Sequence, residues 1–119
     1  LLPGCAAIIH QGGAGTTMTA MSNGTPQLVM PSAVDAIVNA QQVERTGAGR
    51  HLWPVDLDDT TLQQALDAFL GNLPTHQQAA TRLRQQHLTQ PTPAEVTAQL
   101  ARDIEQFTGP WATTVRTRA

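Results

Sequence analysis

The run His10-Gln11-Gly12-Gly13-Ala14-Gly15-Thr16-Thr17 gathers the residue types that hold a phosphate. Its glycines let the backbone turn sharply and let a bulky anion come close to the amides. An imidazole stands at one end and two hydroxyls at the other. A short apolar stretch, Ala6-Ala7-Ile8-Ile9, precedes the run, and a helix-compatible stretch follows it. The order is strand, glycine loop, helix. A helix start carries unpaired N–H groups and the positive end of the dipole. Such a place accepts a phosphate or diphosphate. A glycine loop alone is a weak signal, because a tight strand-to-helix turn with no ligand uses the same residues. His10 also has two readings: a contact to the anion, or a polar residue that ends a strand and bonds to the backbone.

The other reactive residue types form no second constellation. His51, His76 and His87 lack metal-ligand spacing with one another or with acids, so each is expected on a solvated helix or loop. Cys5 is the one cysteine and has no internal disulfide partner. It is expected as a small buried hydrophobe beside the first strand. No Ser/His/Asp or Cys/His order marks a nucleophile. Trp53 and Trp111 are expected in packing, and Arg82, Arg84, Arg116 and Arg118 on solvated surface. The 119 residues are 40% apolar and 13% charged, a folding composition rather than a disordered one, and enough for one core. The net charge is −2 and all seven basic residues are Arg, so there is no basic footprint for nucleic acid. No apolar run reaches membrane-spanning length and no signal peptide is visible, so a soluble, cytoplasmic chain is expected.

The elements that position the loop read clearly. Ala6–Ile9 is predicted as a short, fully buried strand, being continuously apolar. A helix is predicted from Ala14 to Ser22, closed by Asn23-Gly24. Gln27-Leu28-Val29-Met30 is a second buried strand, stopped by Pro31. Ser32 and Asp35 have the spacing of a capping pair for a second helix with Ala36, Ile37, Ala40 and Val43 inward. Gly47-Ala48-Gly49 ends it, and Arg50–Trp53 is a third strand. Beyond Pro54 the pattern turns helical. Leu62, Ala65, Leu66, Phe69 and Leu70 share one face, with Asp58 and Asp59 at its positive end. Thr75 is the expected cap of the next helix, with Ala79, Ala80, Leu83 and Leu88 inward. Thr92-Pro93-Ala94-Glu95 is a strong helix start, followed by Val96, Leu100, Ile104 and Phe107 on one face. The predicted fold is α/β, half of a doubly wound Rossmann-like domain: about three parallel strands with crossover helices, then C-terminal helices. The domain is expected over 1–108, with a tail at 109–119.

The glycine run does not stand alone. Asn23-Gly24-Thr25-Pro26-Gln27, Met30-Pro31, Asp35, Asn39-Ala40 and Gly47-Ala48-Gly49 follow it in order. The series resembles the donor-binding signature of nucleotide-sugar glycosyltransferases of the two-domain GT-B fold. It is most similar to the bacterial branch that glycosylates macrolide, anthracycline and enediyne antibiotics. Gln90-Pro91-Thr92-Pro93-Ala94-Glu95-Val96 resembles that branch's final helix, so the resemblance runs from about Leu1 to Phe107.

The resemblance implies a site. His10 matches the histidine that contacts the donor diphosphate. Gly12, Gly13, Ala14, Gly15, Thr16 and Thr17 match the cradle around the phosphates. Asp35 matches the acid that reaches the sugar hydroxyls, although a first-turn acid is also favoured by the helix dipole alone. Asn39 matches a position close to the donor sugar. Two positions depart: Met18 stands where many relatives have Glu, and Ala36 where many have Gln. Fewer polar partners favour a deoxysugar donor, carried on thymidine diphosphate in this branch. No metal or cofactor is implied; the nucleotide sugar is the substrate. The family's acceptor-binding N-terminal domain and its catalytic base precede the matched region. The expected whole is therefore the last part of an inverting glycosyltransferase, as a fragment or as one half of a split enzyme, with no catalytic base in this chain. A further partner implied is an auxiliary protein, which some branch members need. A second copy paired along strand 6–9 is expected on separate grounds, since that apolar strand lacks its sheet neighbour and has no charge or proline to blunt it. The alternative is a non-catalytic half-domain that binds an anion or another protein.

Overall fold

The computed structural model describes residues 2–107. It divides into two compact units, with the division between Thr89 and Gln90.

The first unit begins with a short 3₁₀ turn at Leu2–Gly4 and continues as β1 (Ile8–His10), α1 (Ala14–Asn23), β2 (Gln27–Val29), α2 (Val34–Thr46) and β3 (Gly49–His51). A second 3₁₀ turn (Pro54–Asp56) leads to α3 (Asp59–Gly71) and α4 (Leu73–Leu88). The three strands form one sheet in the order β1-β2-β3. All pairs are parallel, with Ile9 opposite Leu28 and Leu28 opposite Arg50. Each connection crosses over through a helix, as parallel neighbours require. The α/β expectation is met.

Gly24 and Gly47 end α1 and α2 in the left-handed conformation, which glycine adopts without a Cβ penalty. Gly49 serves a different need. A Cβ there would collide with the Gln27 carbonyl, so only glycine lets β3 lie this close to β2. Val29, Ala40 and Val43 form a core between sheet and α2. Ala48, Ala79 and Ala80 form another, joined by Leu83. The small residues bring α4 close, and α1 packs against it. Among the described residues, Leu28 and Phe69 are the largest fully buried apolar side chains, each contributing about 1.5–3 kcal/mol by leaving water.

Several expectations are corrected. The first strand is Ile8–His10, not Ala6–Ile9, and it is not fully buried: Ile9 is 50% exposed. β1 lies at the sheet edge, so its apolar run lacks the second cover that a central strand has. Cys5 is exposed, because the chain before β1 lies outside the sheet. The third strand is Gly49–His51 rather than Arg50–Trp53. Ser32 does not cap α2. Ala33 is the extended cap residue, with no side-chain bond, and Asp35 falls one position early for a reciprocal pair. Thr75 does not cap α4. Asn72 alone separates α3 from α4, and Pro74 already lies in the new helix's first turn, where its fixed φ is preorganised. Leu70 and Leu88 are exposed, as helical period gives a face but not a neighbour to cover it.

The second unit contains α5 (Pro93–Gln106). Its start has the full capping box: Glu95 N–H donates to Thr92 Oγ1, and Thr92 N–H donates to Glu95 Oε2 at 2.6 Å. The Thr92 backbone N–H, and after it the Thr92 side chain, hold the Glu95 carboxyl below its ordinary range. Val96, Leu100, Ile104 and Phe107 share a face, as their spacing predicts, and that face is exposed. The expected tail at 109–119, with Trp111, Arg116 and Arg118, lies outside the described residues.

Candidate functional site

The loop leaves the carboxyl end of β1, where open parallel sheets place their ligands. Gly12 sets its shape. Its φ is +89°, a region that other L-residues rarely adopt. A Cβ there would stand 3.0 Å from the Ala36 Cβ, the Ala36 carbonyl oxygen and Val29 Cγ1. Side chains hold both of its backbone polar groups. Its N–H donates to His10 Nδ1 at 3.0 Å, and its carbonyl accepts from Asn39 Nδ2 at 2.8 Å. The loop is thus pinned to β1 on one side and to α2 on the other.

The protonation of His10 follows from these contacts. A backbone N–H can only donate, so Nδ1 accepts and carries no proton. The neutral ring then has its proton on Nε2, which donates to Gln27 Oε1 at 2.7 Å. Gln27 is fully buried on β2. Its amide nitrogen points to the Thr17 carbonyl, a long contact of 3.5 Å. Both ring nitrogens of His10 are therefore engaged within the fold. The backbone bond belongs to one of its two sequence readings; a phosphate contact would draw Nε2–H away from Gln27.

Gly13 and Gly15 are unlike Gly12. A Cβ at either would meet nothing within 4 Å. Neither glycine is demanded by packing, and the space over the loop is open. Beneath it, α1 starts with no side-chain cap and no acid in its first turn. Thr17 N–H is the first to close the helix, onto the Gly13 carbonyl at 2.9 Å. The amides of Ala14, Gly15 and Thr16 precede it, on exposed residues, and have no intrahelical acceptor. The two hydroxyls diverge. Thr17 is buried and donates to the Gly13 carbonyl at 2.8 Å, whereas Thr16 is exposed. Only the Thr16 hydroxyl is open to a ligand in this conformation.

Asp35 lies exposed in the first turn of α2, next to the Ala36 that abuts Gly12. Asn39 lies one turn further, with its amide bonded to the loop. The structure brings both to the loop's α2 side, Asn39 as a direct support. Beyond the carboxyl ends of β2 and β3, Pro31, Val34, Ile37, Trp53 and Val55 line an open apolar cleft of about 440 Å³. Sequence reasoning gave Trp53 a packing role, and the half-buried ring does meet His51 edge-on at 5.0 Å; its place beside Val34 carried no sequence signal. The bond of Gln27 to His10 likewise carries no sequence signal.

Among the described residues, no group of three or more His, Cys, Asp or Glu side chains could hold a metal ion. His51 pairs with the Glu44 carboxylate. His76, expected on a solvated position, is buried: its Nδ1–H donates to the Gly47 carbonyl at 2.7 Å and its ring stacks on Phe69. It joins α4 to the end of α2. Arg82 and Arg84 are exposed. No helix among the described residues is long and apolar enough to cross a membrane.

With this geometry in place, known proteins give a consistent picture. Residues 1–102 match the family described as erythromycin biosynthesis protein CIII-like, C-terminal domain. The chain is 41% identical over 100 residues to the erythronolide mycarosyltransferase of Saccharopolyspora erythraea, covering 84% of this chain and 24% of that protein. It is 41% identical over 110 residues to the 10-deoxymethynolide desosaminyltransferase of Streptomyces venezuelae, covering 92% and 26%. Among solved structures, the glycosyltransferase VinC in complex with dTDP superposes with a TM-score of 0.73 at 33% identity, over 86% of this chain and 26% of that one. The spinosyn forosaminyltransferase SpnP superposes at 0.74 with 28% identity, over 85% and 27%. The chain spans about a quarter of the length of the curated relatives it matches.

Proposed function

Because the chain belongs to the family of erythromycin biosynthesis protein CIII-like C-terminal domains, we propose that it is the donor-binding portion of an inverting glycosyltransferase. The donor is a nucleotide diphosphate deoxysugar and the acceptor a hydroxyl of a natural product. The observation that carries this reading is the uncapped start of α1 beneath the open space at Gly13 and Gly15. The diphosphate rests on the loop Gly12–Thr17, against the amides of Ala14, Gly15 and Thr16 and the Thr16 hydroxyl, with His10 behind it. Asp35 reaches the sugar hydroxyls. Asn39 supports this face through Gly12.

The reaction needs a base that deprotonates the acceptor hydroxyl. In this reading an acceptor-binding partner domain or subunit supplies it. The oxygen attacks the anomeric carbon from the face opposite the diphosphate, a C–O bond forms, and the bond to the diphosphate oxygen breaks. The leaving group gains negative charge, and the loop amides and helix dipole are already aimed at it. No metal takes part in this proposal.

Much of the rate of such a reaction comes from positioning acceptor, base and donor together. Incubated alone with thymidine diphosphate sugars and an acceptor panel, the purified chain is expected to give no turnover above background. Turnover that is lost on His10→Ala would contradict this division of labour. A non-catalytic half-domain would instead fail to restore transfer with any acceptor-binding partner.

The edge strand β1, with Ile9 half exposed, is proposed as a pairing edge. Exposed backbone N–H and C=O groups recruit another strand, here from the rest of a longer enzyme or from a second copy. Sedimentation of the chain at rising concentration is expected to show association. A monomer throughout, with 109–119 deleted as well as intact, rules out pairing between copies.

A further inference from the structure

We infer that Gln27 is a positioning residue for the diphosphate loop, acting through the ring of His10. The inference rests on the reading of Gly12–Thr17 as the donor site and adds a residue to it. Gln27 has no exposed surface; besides its bond to His10 it meets the loop through one long contact, to the Thr17 carbonyl at 3.5 Å.

A buried amide side chain is costly unless it is bonded, and Gln27 stands where an apolar strand residue would serve packing. Its carbonyl takes the Nε2–H of His10 at 2.7 Å. That bond settles which edge of the imidazole faces the loop. With Nε2 committed to Gln27, Nδ1 is left as an acceptor facing Gly12, and the Gly12 N–H fills it at 3.0 Å. The peptide N–H of Gly12 is thereby turned inward, and the chain enters its left-handed conformation at φ +89°. The next residue, Gly13, is the cap of α1. The relay thus runs from the centre of the sheet to the start of the helix through two hydrogen bonds and the Gly12–Gly13 peptide bond. Gly49 takes part by its absence of a side chain: a Cβ there would collide with the Gln27 carbonyl, so the close approach of β3 fixes the strand that carries Gln27.

Without the Gln27 carbonyl, Nε2–H is left without its partner in a half-buried place. The ring then gains by rotating toward solvent, and Gly12 loses its acceptor. The loop amides become less well aligned toward an anion. Loss of one such bond corresponds to about a 3- to 10-fold weakening of diphosphate binding.

The test uses the complete chain, with ring nitrogens and backbone amides followed by ¹⁵N NMR at about pH 8, where an ordinary imidazole is neutral. In the wild type, His10 is expected as the Nε2–H tautomer, with the Gly12 amide proton shifted by its bond to Nδ1. A His10 protonated on Nδ1 overturns the inference without any variant. Gln27→Met keeps the volume and removes the acceptor; Gln27→Glu keeps the acceptor. Gln27→Met is expected to change the His10 ring shifts and the Gly12 amide, and to weaken thymidine diphosphate binding 3- to 10-fold. Gln27→Glu is expected to retain the tautomer and the Gly12 signature. Unchanged His10 and Gly12 signals in a folded Gln27→Met chain overturn the inference, as does a Gln27→Glu chain that loses both. Absence of diphosphate binding by the wild type is a separate result: with the tautomer as expected, it defeats the donor-site reading and leaves the relay intact.

Discussion

Two helix starts in this chain face the same physical problem and solve it in opposite ways. α1 and α5 each begin with amides that have no partner within the helix. At α5 the problem is solved locally. Thr92 and Glu95 satisfy amides at the start, and Pro93 removes one that would otherwise be unpaired. At α1 nothing of the kind is present: the cap is glycine, no side chain bonds to it, and no acid lies in the first turn. Its polar side chains face the other way. His10 and Asn39 bond Gly12, and Thr17 bonds Gly13. They fix the backbone and leave the amides outward. A self-satisfied start serves helix stability. One held rigid from behind, with its donors unspent, serves a ligand.

The comparison is broken most severely at Gly12. Gly12→Ala places a Cβ 3.0 Å from three atoms of Ala36 and Val29 at a positive φ. Left-handed strain and crowding together are expected to cost about 2–4 kcal/mol, read by urea unfolding, with the loop site lost. A variant as stable as wild type would show that the loop is not pinned as described.

The opposite start is expected to yield less. Thr92→Ala removes a cap worth about 1 kcal/mol. Faster amide exchange over 93–97, with thymidine diphosphate binding unchanged, is the expected outcome. Altered diphosphate binding would contradict the separation of the two roles. Acid acts on the same bonds more gently. Glu95 and Asp58 are held below the ordinary carboxylate range by bonds from Thr92 and Thr61. A depressed carboxyl stabilises the fold above its unfolded value and loses that contribution as pH falls through the folded one. The starts of α5 and α3 are therefore expected to fray as pH drops from just above the ordinary carboxylate range to below it. α1 has no such carboxylate in its first turn and is expected to show no fraying from this cause. Equal acid sensitivity at all three, measured by amide exchange, would remove the contrast.

The two starts were also unequally legible. The capping box of α5 is a four-residue pattern, and its partners lie within reach along the chain, so Thr92-Pro93-Ala94-Glu95 announces it. The glycine loop, the left-handed Gly24 and Gly47, and the inward face at Ala36, Ala40 and Val43 were readable for the same reason: each depends on local conformation or helical period. What supports the loop was not. Gln27 is seventeen residues from His10 along the chain, and Asn39 twenty-seven from Gly12; only the sheet and the packing of α2 bring them together. The same limit explains the errors. Ala6–Ile9 is apolar enough for a buried strand, yet burial depends on neighbours, and β1 is at the edge. Leu88 has the right period on α4 and nothing over it. His76 carries no sequence mark of burial, and its stack on Phe69 exists only once α3 meets α4.

The central claim is that the loop Gly12–Thr17 holds a diphosphate on the outward amides of Ala14, Gly15 and Thr16. A helix-terminus contact supplies only about 0.3–2 kcal/mol, so millimolar affinity or weaker is expected, on the order of −4 kcal/mol in all. The direct measurement is a titration of the ¹⁵N-labelled chain with thymidine diphosphate, following backbone amides. The account predicts saturable shifts concentrated on Ala14, Gly15 and Thr16. It also predicts their loss in Gly13→Val, whose Cβ meets nothing within 4 Å and whose branched side chain stands in the anion's path. Shifts elsewhere while Gly12–Thr17 stay unmoved, or an undiminished response in Gly13→Val, would contradict it.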